Sequence, residues 1–515
     1  MPSVLSVSPV LPAAERLAAH WRRGALDRDR DPWVQDGALE ALAASGLLGA
    51  CAGASGPAIA DLVRILATGD PGLAQQLHGH VGNVELLALA SPAVREAISD
   101  DIRDRGARFG NLNRDADPRR PTTLTPDGDG FRLTGAKSYC TGAVDAQWLA
   151  VPALLGDELR VALVPAGADG IEVGTRWEAF GQRATRSVGV TLTDVAVPRD
   201  HVLDAWRDAP AAQARELRAQ IPHPALEVGI AEAVLAESWP AHVRESDAFA
   251  AVTAHVAAAR ALLDDAAAQI DALAPRTAAP RNGLGAPRND ADASGEAALT
   301  VAPSRLALGE ASLALFAARA LSYRTSVRTA DAATRWVGGD ARLAARVELH
   351  WRNARTHSVH DPGRWAFHHV GRHVLTGAYP APRSPGLKHR ADELVAPPRL
   401  PSFVPTGHVV ADAARAALAE AAQFVAQRSA WPEAGVARAV DEPHAILRFG
   451  ELAVRLRALD ALDARGEGAR YADEVALRIV SDALEIAGAS ALTRGRGLDE
   501  HWRTIANISN PIKFM

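Results

Sequence analysis

The run FRLTGAKSYCTGAVDAQWLAVPALL (131–155) decides the fold class, because it is where a helix-forming chain changes texture. Its Val, Leu and Thr residues fall in short stretches broken by Gly, Asp and Pro. The same pattern continues through RVALVPA (160–166), IEVGTRW (171–177) and VGVTLTDVAVP (188–198). Short β-forming runs separated by turn residues predict a small antiparallel β domain, here over residues 108–202. Within it, Gly135-Ala136-Lys137 predicts a turn, followed by Tyr139-Cys140-Thr141-Gly142-Ala143 and then Trp148. Thr141 offers a hydroxyl and Gly142 an unobstructed backbone N–H, as the polar edge of a flat cofactor requires. FGQRATRS (180–187) is a second donor-rich segment, with Gln182, Arg183, Thr185 and Ser187.

Residues 1–107 read as helical. Apolar positions recur at three- and four-residue steps in AAERLAAHW (13–21), ALEALAASGLL (38–48) and AIADLVRILATG (58–69). GACAGASGPA (49–58) is breaker-rich and predicts a loop, and AQQLHGHVGNVELL (74–87) continues a helix that begins near Gly72. His78 and His80 are two apart and cannot share a helix face. At most one of them is expected to face a site, with the other solvated.

Residues 203–388 are Ala-rich and predict long amphipathic helices interrupted at Pro222, Pro224 and Pro240. The Pro-, Asn- and Gly-rich stretch over 275–297 has no apolar periodicity and predicts a mobile loop. The segment HWRNARTHSVHDPGRWAFHH (350–369) concentrates five histidines, three arginines and two tryptophans. In a helix His357 and His360 point the same way. Histidine titrates nearest neutrality, so such a pair suits proton handling. Pro362 disfavours the helical conformation at Asp361, which places His360 and Asp361 at a helix end.

The 515 residues allow several domains, and 48% hydrophobic with 23% charged residues is a globular composition. A net charge of −5 does not favour nucleic acid. Two cysteines, Cys51 and Cys140, exclude a disulfide framework and point to a reducing, cytoplasmic setting. No apolar run is long enough for a membrane span, no leader pattern opens the chain, and no metal-ligand spacing is present. An internal repeat is expected: AEAVLAE (231–237) matches ARAALAE (414–420), and HWRNA (350–354) matches HWRTI (501–505). Residues 389–515 would then be a partial second copy of the helical bundle. Asn507, Ser509 and Asn510 stand there in place of the first copy's histidines, which predicts a structural role.

LTGAKSYCTGA, WEAFGQRATRS and HWRNARTHSVHDP, in this order between helical segments, make the chain resemble the acyl-CoA dehydrogenase superfamily. It is most similar to that superfamily's flavin-dependent monooxygenase branch, typified by dibenzothiophene and dimethylsulfone monooxygenases. The resemblance covers roughly residues 13–388. It implies an α+β, mostly α fold: an N-terminal helical domain, a middle antiparallel β domain and a C-terminal four-helix bundle, holding flavin between domains in a dimer or tetramer. The expected chemistry is oxygenation of a small sulfur-, nitrogen- or aromatic-containing molecule by O2. FMN, reduced by a separate flavin reductase, is the expected cofactor, with FAD the alternative.

By the same resemblance His80 faces the flavin, and Asn111 and Asn113 line its ring. Thr141 stands near the reactive edge with Tyr139 and Gly142, and Trp148 lies over that region. Phe180, Arg183 and Ser187 form the next flavin-side segment. His357 and His360 act near the oxygenated flavin, with Arg355 in the same motif. Two other readings follow from the same residues. An acyl-CoA dehydrogenase would use Asp361 as base, with WVGGDA (336–341) toward a dinucleotide, and a duplicated bundle could serve as a non-catalytic structural partner.

Overall fold

The computed structural model describes residues 10–34, 36–206, 209–273, 303–360, 363–381, 409–430, 434–467 and 469–487, with residues 501 and 504. They fall into two compact units. The first draws on Met1–Pro222 and Ile270–Leu308, the second on His223–Gln269, Gly309–Pro382 and Val395–Met515. The stretch expected as a mobile loop lies outside the described residues, as does the expected 388/389 boundary.

The first unit opens with helices α1 (Val10–Arg30), α2 (Ala38–Ala44), α3 (Leu47–Ala50), α4 (Gly56–Gly69), α5 (Pro71–Val84) and α6 (Pro92–Arg105). Three of these starts are written as a capping residue with a proline in the turn that follows. Ser55 caps α4 through Ala58 N–H, Asp70 caps α5 through Gly72 and Leu73 N–H, and Ser91 caps α6 through Val94 N–H. Each cap satisfies an orphan N–H, and proline at the first turn gives up a donor that had no partner. The expected loop over 49–58 is therefore shorter: α3 runs to Ala50 and α4 starts at Gly56. Asp70 also receives Arg28 Nε at 2.8 Å, both side chains being buried, which ties α1 to the α4–α5 junction.

The middle of this unit is one nine-stranded sheet. Its strands are β1 (Phe109–Asn111), β2 (Arg114–Asp115), β3 (Thr123–Asp127), β4 (Gly130–Cys140), β5 (Trp148–Leu155), β6 (Glu158–Pro165), β7 (Ile171–Arg176), β8 (Val188–Pro198) and β9 (Val202–Leu203). The order is β7-β8-β4-β3-β5-β6-β9, with β1 beside β5 and β2 beside β4. Most pairings are antiparallel as expected, but β1–β5 and β3–β5 are parallel. Alternation builds the core: Leu133, Val151, Val190, Leu192 and Val195 are buried on one face. Gly135-Ala136-Lys137 is not a turn, since all three residues stay inside β4. The irregularity that glycine marks is a bulge, with Leu192 opposite Gly135 and Val195 opposite Leu133. Asp194 takes φ 52° there, and the extra residue returns Val195 to the buried face. Helix α7 (Ala209–Gln220) closes the unit's continuous stretch.

The second unit is helical: α8 (Pro222–Leu235), α9 (Ala241–Arg244), most of α10 (Asp247–Leu273), α11 (Arg305–Ala333), α12 (Ala341–His360), α13 (Gly363–Thr376), α14 (Val409–Ala426), α15 (Pro443–Asp463) and α16 (Ala469–Ala487). Two of the expected prolines mark breaks, Pro222 opening α8 and Pro240 preceding α9, whereas Pro224 lies within the first turn of α8 and interrupts nothing, since an N–H there has no helical partner to lose. Helix α12 ends at His360 and α13 opens at Gly363, and the expected effect of Pro362 on Asp361 lies outside the described residues. Small residues set the spacing. At the crossing of α13 and α15 the main chains themselves meet, and a Cβ on Gly450 would lie 1.9 Å from the Phe367 carbonyl oxygen. No described helix is long and apolar enough to cross a membrane.

Candidate active site

In the first unit α5 supplies one wall of a polar cluster. A Cβ at Gly72 would stand 2.8 Å from Ala184 Cβ, and one at Gly79 would stand 2.7 Å from Asn111 Cβ, so the helix lies directly against both segments. This approach brings Gln76 to the 184–187 segment, where its Nε2 donates to the Ala184 carbonyl at 2.9 Å. Thr141 Oγ1 and Ser187 Oγ are 2.9 Å apart, and Ser187 Oγ donates to Thr185 Oγ1 at 3.0 Å. Three hydroxyls thus form a continuous row. Asn111 N–H donates to the Thr141 carbonyl at 3.1 Å, which fixes β1 beside that row. Gly142 takes φ 70°, a conformation glycine adopts without steric cost. Its N–H is not open, since it donates to the Thr185 carbonyl at 3.3 Å. With Ser187 donating to Thr185, Thr141 is the donor to Ser187, and the Thr185 hydroxyl carries the proton that the row itself does not use.

Two atoms in this cluster have no partner. Gln76 Oε1 and Asn111 Oδ1 are buried without a hydrogen bond among the described residues. A buried acceptor left unpaired costs about 1–3 kcal/mol, so a ligand N–H beside them would be favoured. The ring N–H of a flavin has that chemistry, and the hydroxyl row offers donors and acceptors for its other heteroatoms. The residues present therefore fit the group implied by the resemblance.

Other expected site residues have different surroundings. His80 is fully buried, with Nε2 at 3.0 Å from the Leu48 carbonyl and Nδ1 accepting from Phe109 N–H at 3.3 Å. Both ring nitrogens serve the main chain, and burial lowers its pKa to about 4. His80 is thus a neutral anchor between α3, α5 and β1, and a flavin-facing role does not follow from this geometry. Its neighbour His78 is not solvated: its Nε2 lies 2.9 Å from the Ala219 carbonyl. Trp148 donates its indole N–H to Asp101 at 3.0 Å and packs 6.0 Å from the His201 ring. Arg183 donates to the Arg30 carbonyl at 3.3 Å. Asn113 is exposed. Tyr139 and Phe180 are also exposed, at 49% and 57%, Tyr139 meeting Trp177 edge-on at 5.7 Å.

The second unit holds a separate buried group. Glu227 is fully buried on α8 and accepts from His357 Nδ1 at 2.7 Å and from the Ser326 hydroxyl. His357 Nε2 lies 3.4 Å from His223 Nδ1, and the Tyr323 ring is 5.8 Å from the His357 ring. Burial pushes the Glu227 carboxyl well above the usual carboxylate range, opposed by the Ser326 hydrogen bond. This favours a single proton shared between carboxyl and imidazole. The expected partner of His357 was His360, whose side chain lies outside the described residues, as does Asp361. Arg355 is on the exposed face of α12, with its guanidinium 5.8 Å from the Trp351 ring. Sequence reasoning missed Glu227, Ser326 and His223 as site residues. A signal existed: Glu227 is a lone charge between Leu226 and Val228 in an otherwise apolar turn. Among the described residues no cluster of His, Cys, Asp or Glu is placed to hold a metal ion.

No family model matches the chain. Among curated proteins it is 27% identical over 406 residues to a probable FMNH2-dependent monooxygenase, SfnC of Pseudomonas putida, covering 73% of this chain and 96% of that protein. It is also 27% identical over 400 residues to dibenzothiophene monooxygenase of Rhodococcus qingshengii, covering 72% of this chain and 94% of the relative. Among solved structures, the methanesulfinate monooxygenase MsuC of Pseudomonas fluorescens shares the fold with a TM-score of 0.61 at 24% identity, over 74% of this chain and 99% of that one. TdsC of Paenibacillus sp. A11-2, in complex with FMN and indole, matches with a TM-score of 0.63 at 22% identity, over 73% and 98%. These relatives are matched almost end to end, so about a quarter of the present chain is additional to them. The chain is a homologue of the FMNH2-dependent monooxygenases that have the acyl-CoA dehydrogenase-like fold.

Proposed function

We propose that the protein is the oxygenase component of a two-component flavin-dependent monooxygenase, acting with FMN reduced by a separate reductase on a small organic, sulfur-containing substrate. The observation that carries this is the pair of partnerless buried oxygens, Gln76 Oε1 and Asn111 Oδ1, beside the Thr141–Ser187–Thr185 hydroxyl row. Reduced FMN supplies the electrons by which one atom of dioxygen reaches substrate and the other leaves as water. Gln76 Oε1 and Asn111 Oδ1 are the acceptors that would hold the ring N–H when FMN is bound. Thr141 and Ser187 hold or move a proton at their Oγ atoms, and the buried α5–β1 contact excludes water. His80 keeps β1 in place. The Glu227–His357 pair is the proton store of the second unit, with His360 and Asp361 following it in the chain. Dibenzothiophene and methanesulfinate, named for the relatives, are the first substrates to try.

The test is aerobic turnover with reductase-supplied FMNH2 and ¹⁸O-labelled dioxygen, using product mass as readout. One labelled oxygen per product is expected, with a large loss in Thr141→Val and weakened FMN binding in Gln76→Leu. Flavin oxidation that yields only peroxide across a panel of thiophenes, sulfinates and sulfones would overturn the reading.

We further propose that residues 389–515, whose described part begins at Val409, are a partial second copy of the bundle. Supporting it is a matching Glu–His contact in each half. In the first copy Glu237, at the end of AEAVLAE, pairs with His350 of HWR at 2.9 Å. In the second Glu420, at the end of ARAALAE, stands 3.4 Å from His501 of the next HWR. The order of elements agrees, α14, α15 and α16 following one another as α8, α10 and α11 do.

A further inference from the structure

The second unit encloses a cavity of about 160 Å³ that the monooxygenase reading does not use. Four arginines line it, Arg324, Arg328, Arg455 and Arg478, against the single carboxylate of Glu451. The rest of the wall is largely apolar, including Leu321, Phe367, Val454 and Val475. Leu321, Arg324, Thr325 and Arg328 recur at three- and four-residue steps, so one face of α11 is turned to this space. Tyr323 and Ser326, on another face, belong to the Glu227 group. The remaining lining comes from α10, α13, α15 and α16, so the second and third long helices of both proposed copies meet here.

The charges in this cavity do not balance. Arg324 is held by Glu451 at 2.5 Å and its guanidinium also lies 4.2 Å over the Phe367 ring. Arg455 reaches Asp482 at 3.4 Å, but Arg448 competes for both acids, at 3.7 Å from Glu451 and 3.5 Å from Asp482. Arg328 has no ion-pair partner among the described residues. Burial lowers its pKa, and repulsion from Arg324, Arg455 and Arg478 adds to that. Like charges gathered in a partly dry space repel strongly, and an entering anion relieves them. The volume bounds what enters, since a cavity of about 150 Å³ accommodates one benzene ring.

We propose that this cavity binds a small organic acid, a one-ring or similarly sized apolar body carrying a single carboxylate or sulfonate that Arg328 and its neighbouring arginines hold. The planar guanidinium offers two parallel donors to such a head group. The apolar wall takes the body.

Calorimetric titration of the full-length protein with sodium benzoate, sodium benzenesulfonate, benzyl alcohol and sodium sulfate at equal ionic strength tests it. One benzoate or benzenesulfonate per chain is expected, bound at least tenfold more tightly than benzyl alcohol or sulfate. Arg328→Gln should weaken it at least tenfold while leaving FMN affinity unchanged, and Val454→Trp should abolish it by filling the space. If Arg328→Gln does not fold by circular dichroism, Val454→Trp alone decides. Organic-acid binding that survives in both variants, sulfate binding as tight as benzenesulfonate, or no organic-acid binding at all would each overturn the proposal. None of these results depends on oxygenase activity.

Discussion

Replacing His80 by Asn tests the reading of that residue as a neutral anchor. In the folded protein its Nε2–H donates to the Leu48 carbonyl and its Nδ1 accepts from Phe109 N–H. A second proton would have to enter at Nδ1, where it faces a donor in a site that water does not reach. Burial accordingly holds the imidazole near pKa 4, whereas an unfolded histidine titrates at 6.5. The sign follows from proton counting: between these values the unfolded chain binds more protons than the native one. The contribution of His80 is fully present above pH 6.5 and is lost as the pH falls toward 4. Between pH 7.5 and 4.5 that amounts to roughly 2–3 kcal/mol, at about 1.4 kcal/mol per unit. Asn keeps an acceptor near Nδ1 but cannot titrate. Urea unfolding of both proteins at the two pH values, followed by tryptophan fluorescence, gives four stabilities. The native chain should lose about 2–3 kcal/mol more than the variant on acidification. Parallel losses would refute the anchor assignment and return His80 to the candidates for proton exchange.

Three further outcomes are expected. Gly142→Ala must hold a left-handed φ of 70° and sets a methyl 3.4 Å from Gln76 Oε1. A stability loss of about 1–2 kcal/mol together with at least tenfold weaker FMN binding is expected, and unchanged FMN affinity would count against the cluster as the ring site. Gly450→Ala drives a methyl into the Phe367 carbonyl and should cost about 3 kcal/mol in chemical denaturation, whereas a cost below about 1 kcal/mol would mean the α13–α15 crossing is looser than described. Cys51 and Cys140 are buried thiols pushed up to about 12. An aromatic disulfide at pH 8 should therefore titrate no thiol in the native protein and two after denaturation, and rapid native labelling would contradict the burial.

Helices and strands were legible because their signals are local. Ser55, Asp70 and Ser91 each precede a proline by one or two residues and announce a helix start, and Val188 to Val197 alternates in and out with one interruption. Gly135 was read as a turn because glycine marks turns and bulges alike, and the choice between them depends on which strand lies opposite. Gln76 and Glu227 were harder, since what singles them out is long-range. Gln76 matters through a contact with Ala184, 108 positions away, and Glu227 through His357, 130 positions away. His80 differs in the opposite direction. The family resemblance invites a functional reading of this histidine, yet its two nitrogens complete main-chain hydrogen bonding that no local pattern discloses.

At Gly371 and Gly450 one helix presses peptide against peptide on the other, with no side chain as a cushion. A seam of this kind cannot be loosened gradually, because the smallest possible substitution already collides. Here α13 and α15 keep their spacing only while glycine stands at both positions, so a side chain at either one parts the two helices.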